Sequence, residues 1–261
     1  MKAKNPINKK VYFTLLAASV VAIVAVLPYA FTLQAEIIKQ SPLPLDVLAL
    51  ISIVQSTILF AVALYIGLKV SGRIGLGAPV LENYFAGGKL PADLKSNLGK
   101  SVLLGILASA LIIIFDIAFT YFGVSINLAV NQIPPLWQRL IATLYGGIGE
   151  EILLRLFLMA LMIWLIGKIT RYKNDIVKNN YIVWLAIILS ATVFGLGHLP
   201  ITANITALTP LVIFRAILLN GIGGIIFGWL FWKKGLENAM ASHFTADIVL
   251  IVIFPLITSG A

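Results

Sequence analysis

Seven long apolar stretches dominate this sequence, at about 11–33, 45–70, 101–124, 136–166, 181–198, 211–232 and 236–258. Each is long enough to cross a hydrocarbon core roughly 30 Å thick at a helical rise of about 1.5 Å per residue. Lipid offers no partner to a backbone amide, so segments of this kind satisfy themselves as helices. The expected fold is all-α: a polytopic transmembrane helical bundle of about seven helices, or eight if residues 199–210 hold a short extra one. Composition agrees, since only 11% of the 261 residues are charged. A soluble domain carries about 25%, so most of this exterior must face lipid. No Pro/Ser/Gly-rich linker divides the chain, which reads as one transmembrane domain over 1–261.

The formal charge of +9 is distributed by topology. Of the 19 Lys and Arg residues, all but Lys39, Arg139, Arg155 and Arg215 fall in four clusters, at 1–10, 69–100, 168–178 and 233–234. These clusters alternate with nearly uncharged loops at about 34–44, 125–135 and 199–210. The positive-inside rule then puts the N-terminus in the cytoplasm and the C-terminus outside. The basic excess is a topology signal and not a nucleic-acid footprint. The first apolar run exceeds a signal-peptide h-region and lacks an A-x-A site after it, so it is expected to be a retained helix. The glycine-rich loop 71–99 is expected along the cytoplasmic interface.

Several ionisable residues sit inside the apolar segments: Asp116, Glu150, Glu151, Arg155, Asp247 and both histidines, His198 and His243. A charge at mid-bilayer costs about 3 kcal/mol or more, so such groups are expected to share a water-reachable cavity. In Glu150-Glu151-Ile152-Leu153-Leu154-Arg155, residues 151 and 155 are one helical turn apart and can pair. Glu150 points about 100° away and escapes neutralisation. That leaves one carboxylate as structural support and one free, and a free carboxylate in a low-dielectric pocket suits a general base. His243 and Asp247 share a face of the last helix, as do Phe194 and His198 on the fifth. Gly146, Gly147 and Gly149, and likewise Gly195 and Gly197, are expected to admit a close neighbour. Gly221, Gly223, Gly224 and Gly228 read as a packing face.

Plainer roles apply to some of these groups. Glu151–Arg155 is simplest as a buried ion pair that positions helices. Asp116 stands alone in the pattern and reads as a hydrogen-bonded structural group. Arg215 reads as snorkelling to an interface. The set Glu150, His198, His243 and Asp247 is different, because four such groups spread over three apolar segments point to a shared functional site.

The stretches EEILLR (150–155), FGLGH (194–198) and HFTAD (243–247) resemble the three motifs of the CPBP intramembrane proteases, the CAAX-processing or Abi family. Their patterns run E-E-x-x-x-R, F-x-x-x-H and H-x-x-x-N/D. The resemblance covers about 101–258, and three motifs in order on successive apolar segments are specific where each alone is not. It implies that Glu150 and His198 activate a water, that His243 and Asp247 stabilise the tetrahedral oxyanion, and that Glu151 and Arg155 are structural support. Asp247 departs from the Asn usual in prenyl-processing members. An ionised Asp cannot donate to an oxyanion, so it must be protonated, orient His243, or help bind a metal.

The resulting expectation is an intramembrane endopeptidase of the prokaryotic cell membrane. Its partners would be the bilayer and a peptide or protein substrate, prenylated or not, approached from the cytoplasmic side by family analogy. No cofactor is needed, although Glu150, His198, His243 and Asp247 are also an acceptable zinc set. Other chemistries fit less well. There is no cysteine, no H-E-x-x-H and no G-x-S-x-G, and the histidines would be idle in an aspartyl reading of Gly147-Ile148-Gly149-Glu150 with Asp116. The alternatives are a non-proteolytic binding or immunity protein of the same fold, and a proton-coupled transporter, which lacks support from repeats or paired broken helices. Charge topology also sets a puzzle: His198 belongs near the outer end of its segment, while His243 lies about two turns from the cytoplasmic end.

Overall fold

Side chains that accept backbone N–H groups fix where several helices begin. Asn8 accepts from Lys10 and Val11, Asn179 from Tyr181 and Ile182, and Thr209 from Val212, with Pro210 in the first turn. These caps satisfy amides that no preceding turn can reach. In the computed structural model, which describes residues 7–124, 133–172 and 175–258, seven helices are long and apolar enough to cross a membrane. They are α1 (Lys9–Leu33), α2 (Leu45–Ile74), α3 (Leu94–Tyr121), α4 (Leu136–Ile169), α5 (Asn180–Ala203), α6 (Pro210–Lys234) and α7 (Leu236–Thr258). The described residues contain no strand. The protein is a multi-pass integral membrane protein of all-α class.

Two boundaries move relative to the hydropathy pattern. α3 starts at Leu94 rather than near 101, because Lys95, Asn97 and Lys100 can carry a helix out of the apolar core while their polar ends stay wet. The segment 199–210 holds only one further turn, Leu199–Ala203, continuing α5 beyond His198. Part of the expected loop 125–135 lies outside the described residues.

Within the loop after α2, a short helix Pro79–Phe85 is pinned to the α6–α7 turn. Leu236 donates to the Gly77 carbonyl at 3.0 Å, and the Glu237 carboxylate accepts from Leu81 at 2.9 Å. Gly235 makes that turn at a φ of 92°, and a Cβ there would overlap the Pro79 ring. Lys233 and Lys234 end α6, where positive charge complements the helix dipole.

Helix α4 occupies the middle of the bundle, packing against α1, α2, α5, α6 and α7. Its inner face carries Ile152, Arg155, Leu156, Met159 and Ile163, none with any exposure. Between helices in lipid the gain comes from packing rather than removal from water. Glycines allow that closeness at particular points. A Cβ at Gly195 would sit 2.5 Å from the Ile217 Cα, and one at Gly224 2.7 Å from the Ala191 Cβ. The expected glycine face is therefore only partly right: Gly197 and Gly221 have nothing within 4 Å of the position a Cβ would take.

Asp116 is hydrogen-bonded, as expected of a structural group, and its partner is Arg215, which pairs with it rather than snorkelling. The Arg215 guanidinium donates through Nε to Asp116 Oδ1 at 2.7 Å, and Nη2 lies 2.6 Å from the same oxygen. The pair ties α3 to α6 across 99 residues of sequence, a separation that no helical spacing rule can reveal.

Candidate active site

Helix α4 widens as it passes the site. Tyr145–Glu150 and Ile152–Met159 run as π-helix, and so does Ile248–Ile253 on α7. Wide turns of this kind recur at functional sites. Here three glycines, Gly146, Gly147 and Gly149, lie in the first of them and are all buried. A Cβ at Gly146 would overlap the Asp247 carboxylate and lie 3.2 Å from His243 Nε2; one at Gly147 would lie 2.8 Å from the Phe244 Cβ. The glycines thus let α7 bring its two functional side chains directly against the backbone of α4.

The two adjacent glutamates part company, as helix geometry requires. Glu151 is completely buried, whereas the Glu150 side chain keeps 22% exposure. Glu151 Oε1 faces Arg155 Nη2 at 3.3 Å and accepts a hydrogen bond from His243 Nδ1 at 2.8 Å. The Arg155 guanidinium also lies over the rings of Phe194, at 5.5 Å, and Phe227, at 5.8 Å, an arrangement that lowers the cost of a buried cation. Glu151 is therefore more than half of an ion pair, since it also holds the imidazole of His243.

With Nδ1 committed to Glu151, His243 turns Nε2 to the two remaining acids. Glu150 Oε2 and Asp247 Oδ1 each lie 3.6 Å from it. Phe227 stacks on the imidazole at 4.5 Å, and Phe194 meets it edge-on at 5.7 Å. The ring is thus fixed by one hydrogen bond and two aromatic faces. Asp247, at 3.6 Å from Nε2, does not supply that orientation.

His198 stands across from this cluster. Its Nδ1 lies 2.9 Å from the Phe194 carbonyl oxygen. A carbonyl only accepts, so Nδ1 carries the hydrogen and a neutral ring keeps its lone pair on Nε2. Phe194 touches both histidines edge-on, His198 at 4.8 Å and His243 at 5.7 Å. One aromatic ring thus joins the two residues whose depths in the sequence looked incompatible. Among the described residues, His198 forms no ion pair with Glu150 or Asp247; it meets them across a shared cavity.

That cavity, about 620 Å³, is lined by Glu150, His198, His243 and Asp247 together. Tyr29 from α1, Gln34 just beyond its end, Tyr145 from α4 and Asn220 from α6 add polar groups to walls that are otherwise mostly aliphatic. None of these four was singled out from the sequence. The signal that exposed the ionisable residues, polarity inside an apolar helix, also marks Tyr29 and Asn220, but weakly, because an uncharged polar group in a helix is common. Among the described residues, no three His, Asp or Glu side chains converge as a metal-ligand set.

The fold and site together define a class: a membrane-embedded cavity holding a free carboxylate, a buried carboxylate–imidazole–guanidinium group and a second histidine with an available nitrogen. A family model described as type II CAAX prenyl endopeptidase, Rce1-like, matches residues 132–249. The matched stretch carries all three motifs and is similar to that family. No curated protein and no solved structure matches the chain.

Proposed function

We propose that the protein is an intramembrane endopeptidase in which Glu150 and His198 activate a water against a peptide carbonyl. The observation that carries this reading is the separation of Glu150 from Glu151. One carboxylate is locked to Arg155 and His243, and the other faces the cavity beside His243 Nε2 without a hydrogen bond of its own.

Glu150 accepts a proton from a water that also donates to His198 Nε2, and the water oxygen bonds to the carbonyl carbon. The carbonyl becomes an oxyanion, held by His243 Nε2–H and by the carboxyl of Asp247 in protonated form. Glu150 then gives its proton to the leaving nitrogen as the C–N bond breaks. Charge balance supports these protonation states. With Glu150 and Glu151 ionised, Arg155 and His243 cationic and Asp247 carrying a proton, the cluster has zero net charge, as a low-dielectric site requires. Glu151 stabilises the imidazolium, so Asp247 is free to act as a donor where Asn does in prenyl-processing members. Phe194, Phe227 and the aliphatic walls limit water around the reacting carbonyl.

The test is cleavage of quenched fluorescent peptides, prenylated and unprenylated, by detergent-purified protein, with products identified by mass spectrometry. Internal cleavage that is lost in Glu150→Ala and in His198→Ala is expected. Cleavage that survives Glu150→Ala overturns the assignment, and binding without cleavage moves the protein to the non-proteolytic class.

A further inference from the structure

The cavity occupies only one half of the bundle. Each transmembrane helix has a basic end, marked by Lys9 and Lys10, Lys69 and Arg73, Lys95 and Lys100, Lys168 and Arg171, Lys178, or Lys233 and Lys234. The wall of the cavity begins well away from those ends. Its deepest members are Phe227 and His243, each seven residues from its basic helix end and so about 10 Å inside it. From there it runs outward through Asn220 and Tyr29 to Leu33, Gln34 and Ile201, at the ends of α1 and α5 opposite the basic ends.

The basic half is closed. On α4, Ile152, Arg155, Leu156, Met159 and Ile163 are fully buried, and on α6 Leu230 and Phe231 keep 1% exposure or less. The separate hollow at the basic end, lined by Gly75, Lys233, Lys234 and Asn238 among others, shares no lining residue with the cavity. Water therefore reaches Glu150 from the face opposite the basic helix ends. Basic ends lie in the cytoplasm.

We infer that the site is open to the extracytoplasmic face, and that it takes peptide segments presented from that face whose stretch along the outer wall is apolar and uncharged. This rests on the proposed protease reading for the word substrate and on the structure alone for the side. The preference for uncharged segments follows from the lining. Apart from the histidines, the carboxyl or basic groups among the described residues that line the cavity are Glu150 and Asp247, at its inner end, with Arg139 near Tyr29 outside the lining. A charged substrate side chain bound along the outer part would be desolvated with no charged lining group to pair with. A prenylated tail arriving from the cytoplasm would meet the closed half. The expected direction of approach by family analogy is accordingly reversed.

The chain has no cysteine, so single thiols report position cleanly. Gln34→Cys places one at the proposed mouth. Gly72→Cys places one at the basic end, where a Cβ meets nothing within 4 Å. Right-side-out and inverted membrane vesicles are treated with a membrane-impermeant maleimide–polyethylene glycol and analysed by gel shift. Gln34→Cys is expected to shift only in right-side-out vesicles and Gly72→Cys only in inverted ones. Modified Gln34→Cys should then lose at least about tenfold in cleavage of an apolar peptide, with modified Gly72→Cys unchanged. The opposite labelling pattern overturns the inference, and so does full cleavage by modified Gln34→Cys. Labelling needs no substrate, so a protein that cleaves nothing would refute the protease reading while the vesicles still decide the side.

Discussion

Removing one member of the Glu151–Arg155 pair should be far more damaging than removing both. Both side chains are fully buried, with Glu151 Oε1 3.3 Å from Arg155 Nη2. Glu151→Leu leaves the guanidinium buried between Phe194 and Phe227 without its direct partner, and Arg155→Met leaves a buried carboxylate shared only with His243. Breaking such a pair costs about 3–5 kcal/mol, whereas replacing it whole by apolar groups of similar volume is often neutral or better. For chains of this size, 3–5 kcal/mol is about 6–20 °C in Tm. Thermal unfolding in detergent, followed by tryptophan fluorescence, should show each single variant lowered by that amount. The double variant should return to within a few degrees of the parent. Peptide cleavage should not return with it. Glu151 also fixes His243 Nδ1 at 2.8 Å, and a mispositioned acid–base or oxyanion partner costs about 10²–10⁴ in rate. A double variant as unstable as the singles would refute the ion-pair reasoning. A stable double variant with full activity would refute the role given to Glu151.

Gly146→Ala drives a methyl group into the Asp247 carboxylate and within 3.2 Å of His243 Nε2, so kcat/KM should fall at least about a hundredfold; near-parental cleavage would contradict the close approach of α7. On α6, Gly224→Ala should lower Tm, since its Cβ would meet Ala191 at 2.7 Å, while Gly221→Ala, into open space, should be neutral or slightly stabilising. Asp247→Asn keeps a donor toward the oxyanion and should retain cleavage within about tenfold, whereas Asp247→Leu should lose it; equal loss in both would assign the role to charge. Dialysis against a chelator should leave cleavage unchanged, and stoichiometric zinc whose removal abolishes activity would contradict the metal-free mechanism.

Much of this arrangement was legible in residue order because lipid leaves so few options. Apolar length gave the seven spans, and the cost of a buried charge singled out Glu150, Glu151, Arg155, His198, His243 and Asp247. The turn-apart spacing of Glu151 and Arg155 predicted their pairing. What was missed depends on approach between segments that no local period encodes. Asp116 and Arg215 find each other across α3 and α6, and Glu151 rather than Asp247 takes His243 Nδ1. The π-helical widening of α4 also escaped the pattern, since an α-helical angle was assumed through Gly146–Glu150. Phe194 could be placed one turn from His198, but its contact with His243 depends on how α5 meets α7. The side from which the cavity opens could not be read either, because burial of the basic half is a property of packing.

The most direct test of the catalytic assignment compares Glu150→Gln and His198→Gln with the parent on one cleavable peptide, under conditions where all three show the same Tm. Glu150 is partly exposed and forms no hydrogen bond within the described site, so Glu150→Gln should fold as well as the parent. Both variants should lose about 10²–10⁴ in kcat, with KM changed little, because each removes a group that acts on the water rather than on the bound peptide. Undiminished kcat in either properly folded variant would contradict a water activated between Glu150 and His198.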